Sequence, residues 1–363
     1  MTRPLAGSDR PDVCPVPSCP GGRKISPTTV SQFVRLDQCR RYLRLALHAR
    51  AAGLGFLRDY DVAPQEIPPL LTRAGAEFER RVEIAAADAF PVRLLARERA
   101  DSGRENDNDT LATAARDVLP GETVILFQPR LHVAIDGWDM TGDADIVRLE
   151  RREDGVLRLL VADMKATTAA KVEHRLQVAF YREMIEHLLC DAGISLAASA
   201  IGILYRGAPG VVPDRGRDDG DERDVQKEAA RRLFGVEDAF FEQTTDPDAY
   251  RDTARALVLG ESSVANEVIS ERFEDIPWHL TYKCDGCLYN EFCMKWAAER
   301  DDLSLLPHIT DQDKSALLQV GIGATRQLAQ LLVPTLNSSS GEPDPHLLGP
   351  TPETSELAQR VAR

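Results

Sequence analysis

Gly142-Asp143-Ala144-Asp145-Ile146-Val147 and Val161-Ala162-Asp163-Met164-Lys165 decide the fold. Each joins charged residues to a run of aliphatic and β-branched ones. Side chains alternate along a strand, so Asp163 and Lys165, two apart, project from one face. Working outward, Thr123–Ile135, Asp139–Leu149 and Val156–Met164 alternate or stay apolar and read as three strands. Asp145 then stands at the inner end of one strand, and Asp163 and Lys165 at the end of the next. A helix over Lys171–Leu189 and a short strand at Ala200–Tyr205 follow. Upstream, Ser26-Pro27-Thr28 sets a cap before a proline at the first turn and opens a helix through Val30, Phe33, Val34, Cys39, Tyr42, Leu43 and Leu47. A second helix covers Leu71–Ala89. The order helix, strands, helix, strand predicts an α/β fold, a small mixed sheet flanked by helices.

Other segments read more plainly. Residues 1–24 carry five prolines without periodicity and are expected to be a disordered leader; Cys14 and Cys19 lie in it. The acidic stretch Asp101–Asp109 and the segment Gly207–Asp224 read as loops. Helices are expected over Val225–Gln243 and Pro247–Leu259. Leu303–Leu332 is apolar at helical spacing and interrupted by Gly321-Ile322-Gly323.

The chain has 363 residues, 43% of them hydrophobic and 28% charged, enough to build a core. Its net charge of −14 argues against a nucleic-acid coat or a membrane-surface protein, both of which need broad positive potential. One local basic groove is still compatible with it: Lys24–Asp61 has seven basic residues against three acidic. The longest apolar stretch, Leu196–Tyr205, is far short of the roughly 20 residues of a membrane span. Seven cysteines make a poor disulfide framework, and a cytoplasmic location is expected.

Two carboxylates beside a lysine suit a hard cation, because oxygen ligands hold Mg²⁺ or Mn²⁺. Such an ion lowers the pKa of bound water and offsets charge on a phosphodiester. The ordinary alternative is a pair of turn aspartates beside a surface lysine. Two further features weigh against it. Gln177 and Tyr181 are four apart on one face of the following helix, and Glu77 and Glu79 follow Gly75 on the upstream one.

The ordered set GxxD, DxK and QxxxY, after a GxxxE helix, resembles the RecB-like branch of the PD-(D/E)XK nuclease superfamily. The resemblance implies a restriction-endonuclease-like core, with Asp145 and Asp163 as metal ligands and Lys165 as the catalytic lysine. Gln177 and Tyr181 match the element that contacts DNA and braces the site. One position departs: many relatives have a histidine ligand on the first helix, where this chain has Phe78 followed by Glu79. Either Glu79 supplies the missing ligand to Mg²⁺ or Mn²⁺, or metal binding is weakened.

Cys284, Cys287 and Cys293 form C-x2-C-x5-C, which needs a fourth ligand; Cys39 on the basic helix is the candidate. One distant N-terminal cysteine before this trio is similar to the iron–sulfur staple of the AddB and CRISPR-adaptation exonucleases. That resemblance implies a [4Fe–4S] cluster, with zinc as the alternative. Cys190 is expected in the core. The implied organisation is a leader (1–24), a stapled nuclease domain (25–300), a segment like a helix-hairpin-helix (301–335) and a flexible tail (336–363). The glycine turn of that segment would either hold a DNA phosphate or serve packing alone. By the resemblance, the activity is metal-dependent exonuclease cleavage of single-stranded or end-bearing DNA in repair or defence, beside a helicase or other DNA-processing protein. A catalytically silent DNA-binding adaptor, disarmed at Phe78, and a zinc-ribbon structural protein are the alternatives.

Overall fold

The computed structural model describes residues 23–65, 69–207 and 219–329. Its strands are β1 (Lys24–Ile25), β2 (Val92–Leu94), β3 (Thr123–Phe127), β4 (Arg130–Ile135), β5 (Trp138–Asp143), β6 (Ile146–Arg151), β7 (Leu157–Lys165), β8 (Ala198–Tyr205) and β9 (Phe240–Gln243). Its helices are α1 (Pro27–Arg35), α2 (Arg40–Ala52), α3 (Gly55–Asp59), α4 (Pro69–Ala89), α5 (Leu95–Ser102), α6 (Asn108–Asp117), α7 (Val172–Asp191), α8 (Asp219–Phe234), α9 (Pro247–Val258), α10 (Val264–Ser270), α11 (Asn290–Arg300) and α12 (Asp311–Gln319). The described chain divides into two compact units, residues 23–53 with 69–274 and residues 54–65 with 275–329. No helix among the described residues is long and apolar enough to cross a membrane.

The first unit holds both sheets. A six-stranded sheet runs β2-β3-β6-β7-β8-β9, and a three-stranded one runs β1-β5-β4. The larger sheet is mixed: β7 pairs antiparallel with β6 and parallel with β8. The parallel pair needs a crossover, which α7 supplies. Both faces of β7 are covered, so it reads as a near-continuous apolar run. Leu160, Ala162 and Met164 pack with Phe78, Val82 and Ala86 of α4 and with Ala230 and Phe234 of α8. Val161 and Asp163 alternate to the opposite face, where α7 packs.

Several expected elements are divided by left-handed residues. The first helix breaks at Asp37 (φ 53°) and Gln38 (φ 56°), which leaves Cys39 as the N-cap of α2. The first expected strand breaks at Gln128 (φ 51°) and Pro129 and feeds two different sheets. The second ends at Asp143 and resumes at Ile146. The expected loop at Asp101–Asp109 contains the end of α5 and the start of α6, and Asp107 is fully buried. Arg99, Arg104 Nη2 (3.0 Å) and the Arg130 amide (2.9 Å) hold its carboxylate, so this acid is structural rather than solvated. Within the expected loop Gly207–Asp224, α8 begins at Asp219; residues 208–218 lie outside the described residues. That helix stops at Phe234, and the end of the expected Val225–Gln243 helix is the edge strand β9. Cys190 is exposed, because it falls past the buried face of α7. Of the expected leader, residues 1–22 with Cys14 and Cys19 lie outside the described residues, and Lys24 begins β1.

The second unit packs Phe56 and Tyr60 against Tyr289, Phe292 and Trp296. Within the same unit, Leu303, Leu317, Ile322 and Leu328 form a small core of their own. The first expected helix of this pair starts at Asp311 rather than Leu303, capped by Thr310. After the glycine turn, the N–H groups of Gly323 and Ala324 both donate to Gln327 Oε1 (2.7 and 2.9 Å). The donors a phosphate would need are thus engaged internally. Residues 330–335 and the expected tail 336–363 lie outside the described residues.

Close packing at β8 gives a direct test. A Cβ on Gly202 would stand 2.3 Å from Phe241 Cζ and 2.7 Å from the Glu242 carbonyl oxygen, and the backbone oxygen cannot yield. Gly202→Ala is expected to destabilise the protein by about 1–3 kcal/mol, seen as a lower midpoint in denaturant unfolding.

Candidate active site

The β6–β7 ladder sets the geometry. Ile146 faces Ala162 in the antiparallel register, so the preceding residue, Asp145, comes opposite Asp163. Asp145 Oδ2 accepts the Met164 amide at 2.7 Å, which ties the break between β5 and β6 to the end of β7. Asp163 is 1% exposed, and its Oδ2 lies 2.8 Å from Lys165 Nζ, an ionic contact without hydrogen-bond alignment. Gln177 Nε2 of α7 donates weakly to Asp163 Oδ1 at 3.4 Å. One helical turn on, Tyr181 is buried against Gly142, where a Cβ would stand 2.9 Å from the ring and 3.1 Å from Pro27 Cδ. The GxxD and QxxxY segments are therefore in contact through the absent side chain of Gly142. The fourth element, α4, turns Phe78 into the apolar core and sets Glu79 roughly 100° around the helix. Glu79 Oε2 accepts from Gln128 Nε2 at 3.1 Å.

Charge is unbalanced here: three carboxylates answer one ammonium. Burial first, then the charge of Asp145, pushes the Asp163 carboxyl well above its ordinary range, and Lys165 only partly opposes them. Burial, Asp145 and Glu83 likewise raise Glu79 against the pull of Lys165 and Gln128. Burial works to lower the Lys165 ammonium, but Asp163, Asp145 and Glu79 outweigh it and hold it above its usual value. Burial and Asp145 raise the Tyr181 phenol, while a hydrogen bond with Thr28 works the other way.

Such a site has the chemistry of a divalent cation's partner. Among the described residues, no three His, Cys, Asp or Glu side chains are gathered into a closed metal cage. Mg²⁺ does not need one: it takes one or two carboxylates and completes its shell with water and substrate phosphate. The buried Asp163 Oδ2, lacking a hydrogen bond, and the net negative charge fit that mode of binding. A cation would offset the repulsion that now raises the carboxyl groups.

Two residues in this neighbourhood were not marked by the motifs. His174, in the first turn of α7, is buried, and its Nδ1 has no hydrogen-bond partner. Burial and the like charge of Lys165 lower it to about 4, so the imidazole is neutral at pH 7. It precedes Gln177 by three positions, a helical spacing that could have flagged it. Gln128 sits at the left-handed break between β3 and β4, where only the following proline hinted at a turn.

The fold and this carboxylate–lysine cluster define a class, the α/β proteins that carry two acids and a lysine at the end of a mixed sheet. The sequence profile of the PD-(D/E)XK nuclease superfamily matches residues 36–294, and the chain belongs to that superfamily. None of the curated proteins compared with the chain matches it. Members of the superfamily are generally nucleases and typically use Mg²⁺ or Mn²⁺.

The sign of the linkage is testable. A carboxyl whose folded pKa is raised favours the fold below its unfolded pKa, near 4, and loses that contribution as pH rises through the folded value. In metal-free protein this site therefore costs stability at alkaline pH. Asp163→Asn is expected to raise the thermal midpoint at pH 8 in EDTA, and to raise it less at pH 5, by scanning calorimetry. Added Mn²⁺ should raise the midpoint of the parent more at pH 8 than at pH 5.

Proposed function

We propose that this chain is a divalent-metal-dependent deoxyribonuclease of the RecB-like branch, an exonuclease acting on single-stranded or end-bearing DNA. The observation that carries this reading is the buried Asp163, with Lys165 Nζ 2.8 Å away and Asp145 held opposite through the Met164 amide. Asp145 and Asp163 would hold the cation directly, and Glu79 would reach it directly or through one of its waters. When bound, it supplies an acidified water and a counter-charge to the scissile phosphate. Lys165 keeps its proton in this field and presents positive charge, on a side chain one-quarter exposed, to an incoming phosphodiester. Gln177 restrains Asp163, and Tyr181 braces Gly142 against α1. Glu79 takes the place of the nitrogen ligand expected at Phe78, which makes the donor set all oxygen and suits Mg²⁺ or Mn²⁺.

We further infer that Cys39, Cys284, Cys287 and Cys293 hold an iron–sulfur cluster. Their spacing supports this, as does the setting of two sulfurs. Cys39 Sγ, at the N-cap of α2, accepts the Tyr42 amide at 3.4 Å, and Cys284 Sγ accepts the Thr281 amide at 3.4 Å. Backbone N–H groups thus point at both sulfurs, as they do at the thiolate sulfurs of iron–sulfur clusters.

The test is cleavage of end-labelled single-stranded and duplex DNA with Mg²⁺ or Mn²⁺ by protein purified without oxygen. Asp163→Ala and Lys165→Ala are expected to cut at least about a hundredfold more slowly than the parent, with circular dichroism unchanged. Undiminished cutting by both variants would remove the assignment; DNA binding by the parent without cutting would make it an adaptor. Iron and sulfide in about equal amounts support the cluster, and stoichiometric zinc in their place overturns it.

A further inference from the structure

Gln128 lies outside every motif and carries more of the site than any other unmarked residue. It adopts left-handed backbone (φ 51°), a sparsely populated region for a side chain of this kind. Three of its polar groups are engaged there. Its amide N–H donates to the Asp145 carbonyl at 2.9 Å. Its side-chain Nε2 donates to Glu79 Oε2 at 3.1 Å. Its carbonyl accepts from Arg99 Nη1 at 3.3 Å, and the same guanidinium grips the buried Asp107. Glu79 is on α4 and Asp145 lies between β5 and β6, so these elements meet at one residue.

We propose that Gln128 is a positioning residue for the metal-binding carboxylates. This rests on the nuclease reading above. The left-handed turn is what lets one residue face Asp145 with its backbone and Glu79 with its side chain. A carboxylate only accepts, so the amide must turn its nitrogen to Glu79. A neutral donor orients one Glu79 oxygen and leaves the other oxygen and the full negative charge for a cation. A lysine in its place would neutralise that charge and compete with the ion. Hydrogen bonds of this kind behind a ligand carboxylate are commonly worth 10- to 100-fold in metal affinity.

Two substitutions separate the amide from the backbone. Gln128→Gly removes the side chain and relieves the left-handed strain, whereas Gln128→Ala removes it and keeps the strain. Mn²⁺ binding to the full chain is measured by calorimetry without DNA, alongside thermal midpoints. Both variants are expected to bind Mn²⁺ about tenfold more weakly than the parent, although Gly melts higher than Ala. Saturating Mn²⁺ should restore kcat, with KM for DNA unchanged. Affinity within twofold of the parent in both variants overturns the proposal, as does affinity that follows the melting temperature, which would mark a purely backbone role. If the parent itself binds no Mn²⁺, the metal-dependent reading falls and takes this proposal with it. Parental binding with unaffected variants removes the proposal alone.

Discussion

A buried ion pair that is outnumbered by its own carboxylates is the constraint on which this site depends. Asp163 and Lys165 alone would be a near-neutral pair, whose desolvation roughly offsets its attraction. Asp145 and Glu79 tip the balance toward excess negative charge in a place where water screens poorly. An apolar core of similar volume would be at least as stable. Such an arrangement costs the fold something at neutral pH, and a bound divalent cation would offset that cost. Strained electrostatics of this kind cluster at functional sites, and here they gather on Asp145, Asp163, Lys165 and Glu79.

Holding like charges near one another requires stiff supports, and these come from four elements. The β6–β7 register fixes Asp145 opposite Asp163, and α7 reaches over with Gln177. Tyr181 fills the space left by Gly142, so the position of the β5–β6 break is set by contact rather than by loop preference. The Phe78 side chain locks α4 into the core shared with Ile146, Ala162 and Met164, and that anchoring sets the azimuth of Glu79. With Phe78 taken up by that core, the adjacent Glu79 is the group set in the field of Asp145 and Lys165.

Much of this was legible in the sequence, for identifiable reasons. The DxK spacing follows from a period of two, and the Gln177/Tyr181 spacing from a period of 3.6, so both survive without tertiary information. The helix start with a strong local signal, Ser26-Pro27, falls where the cap lies, and the helix expected from Pro247 begins there. Breaks made by residues other than glycine did not show. Asp37, Gln38 and Gln128 take left-handed backbone because surrounding contacts hold them there, and no local propensity announces it. Gln128 was missed for this reason: its role comes from partners at positions 79 and 145, which the chain brings together only in three dimensions. The exposed Cys190 shows the converse, since helical periodicity near a C-terminus does not reveal where the packing partner ends.

The C-terminal pair of helices shows how a motif-like pattern and its occupancy can diverge. A glycine turn before a helix offers N–H groups that suit phosphate. Here Gln327 Oε1 takes the amides of Gly323 and Ala324, and Asp301 accepts from the Arg326 amide at 3.3 Å and from its guanidinium. An approaching phosphate would have to displace a neutral oxygen and then face the carboxylate of Asp301. Leu303, Leu317, Ile322 and Leu328 meanwhile close a small core beneath the turn. The same residues that make the pattern resemble a DNA-binding turn are thus satisfied by packing. In the β-sheet unit the opposite holds: the acids there are left with charge in excess, and burial keeps water from relieving it.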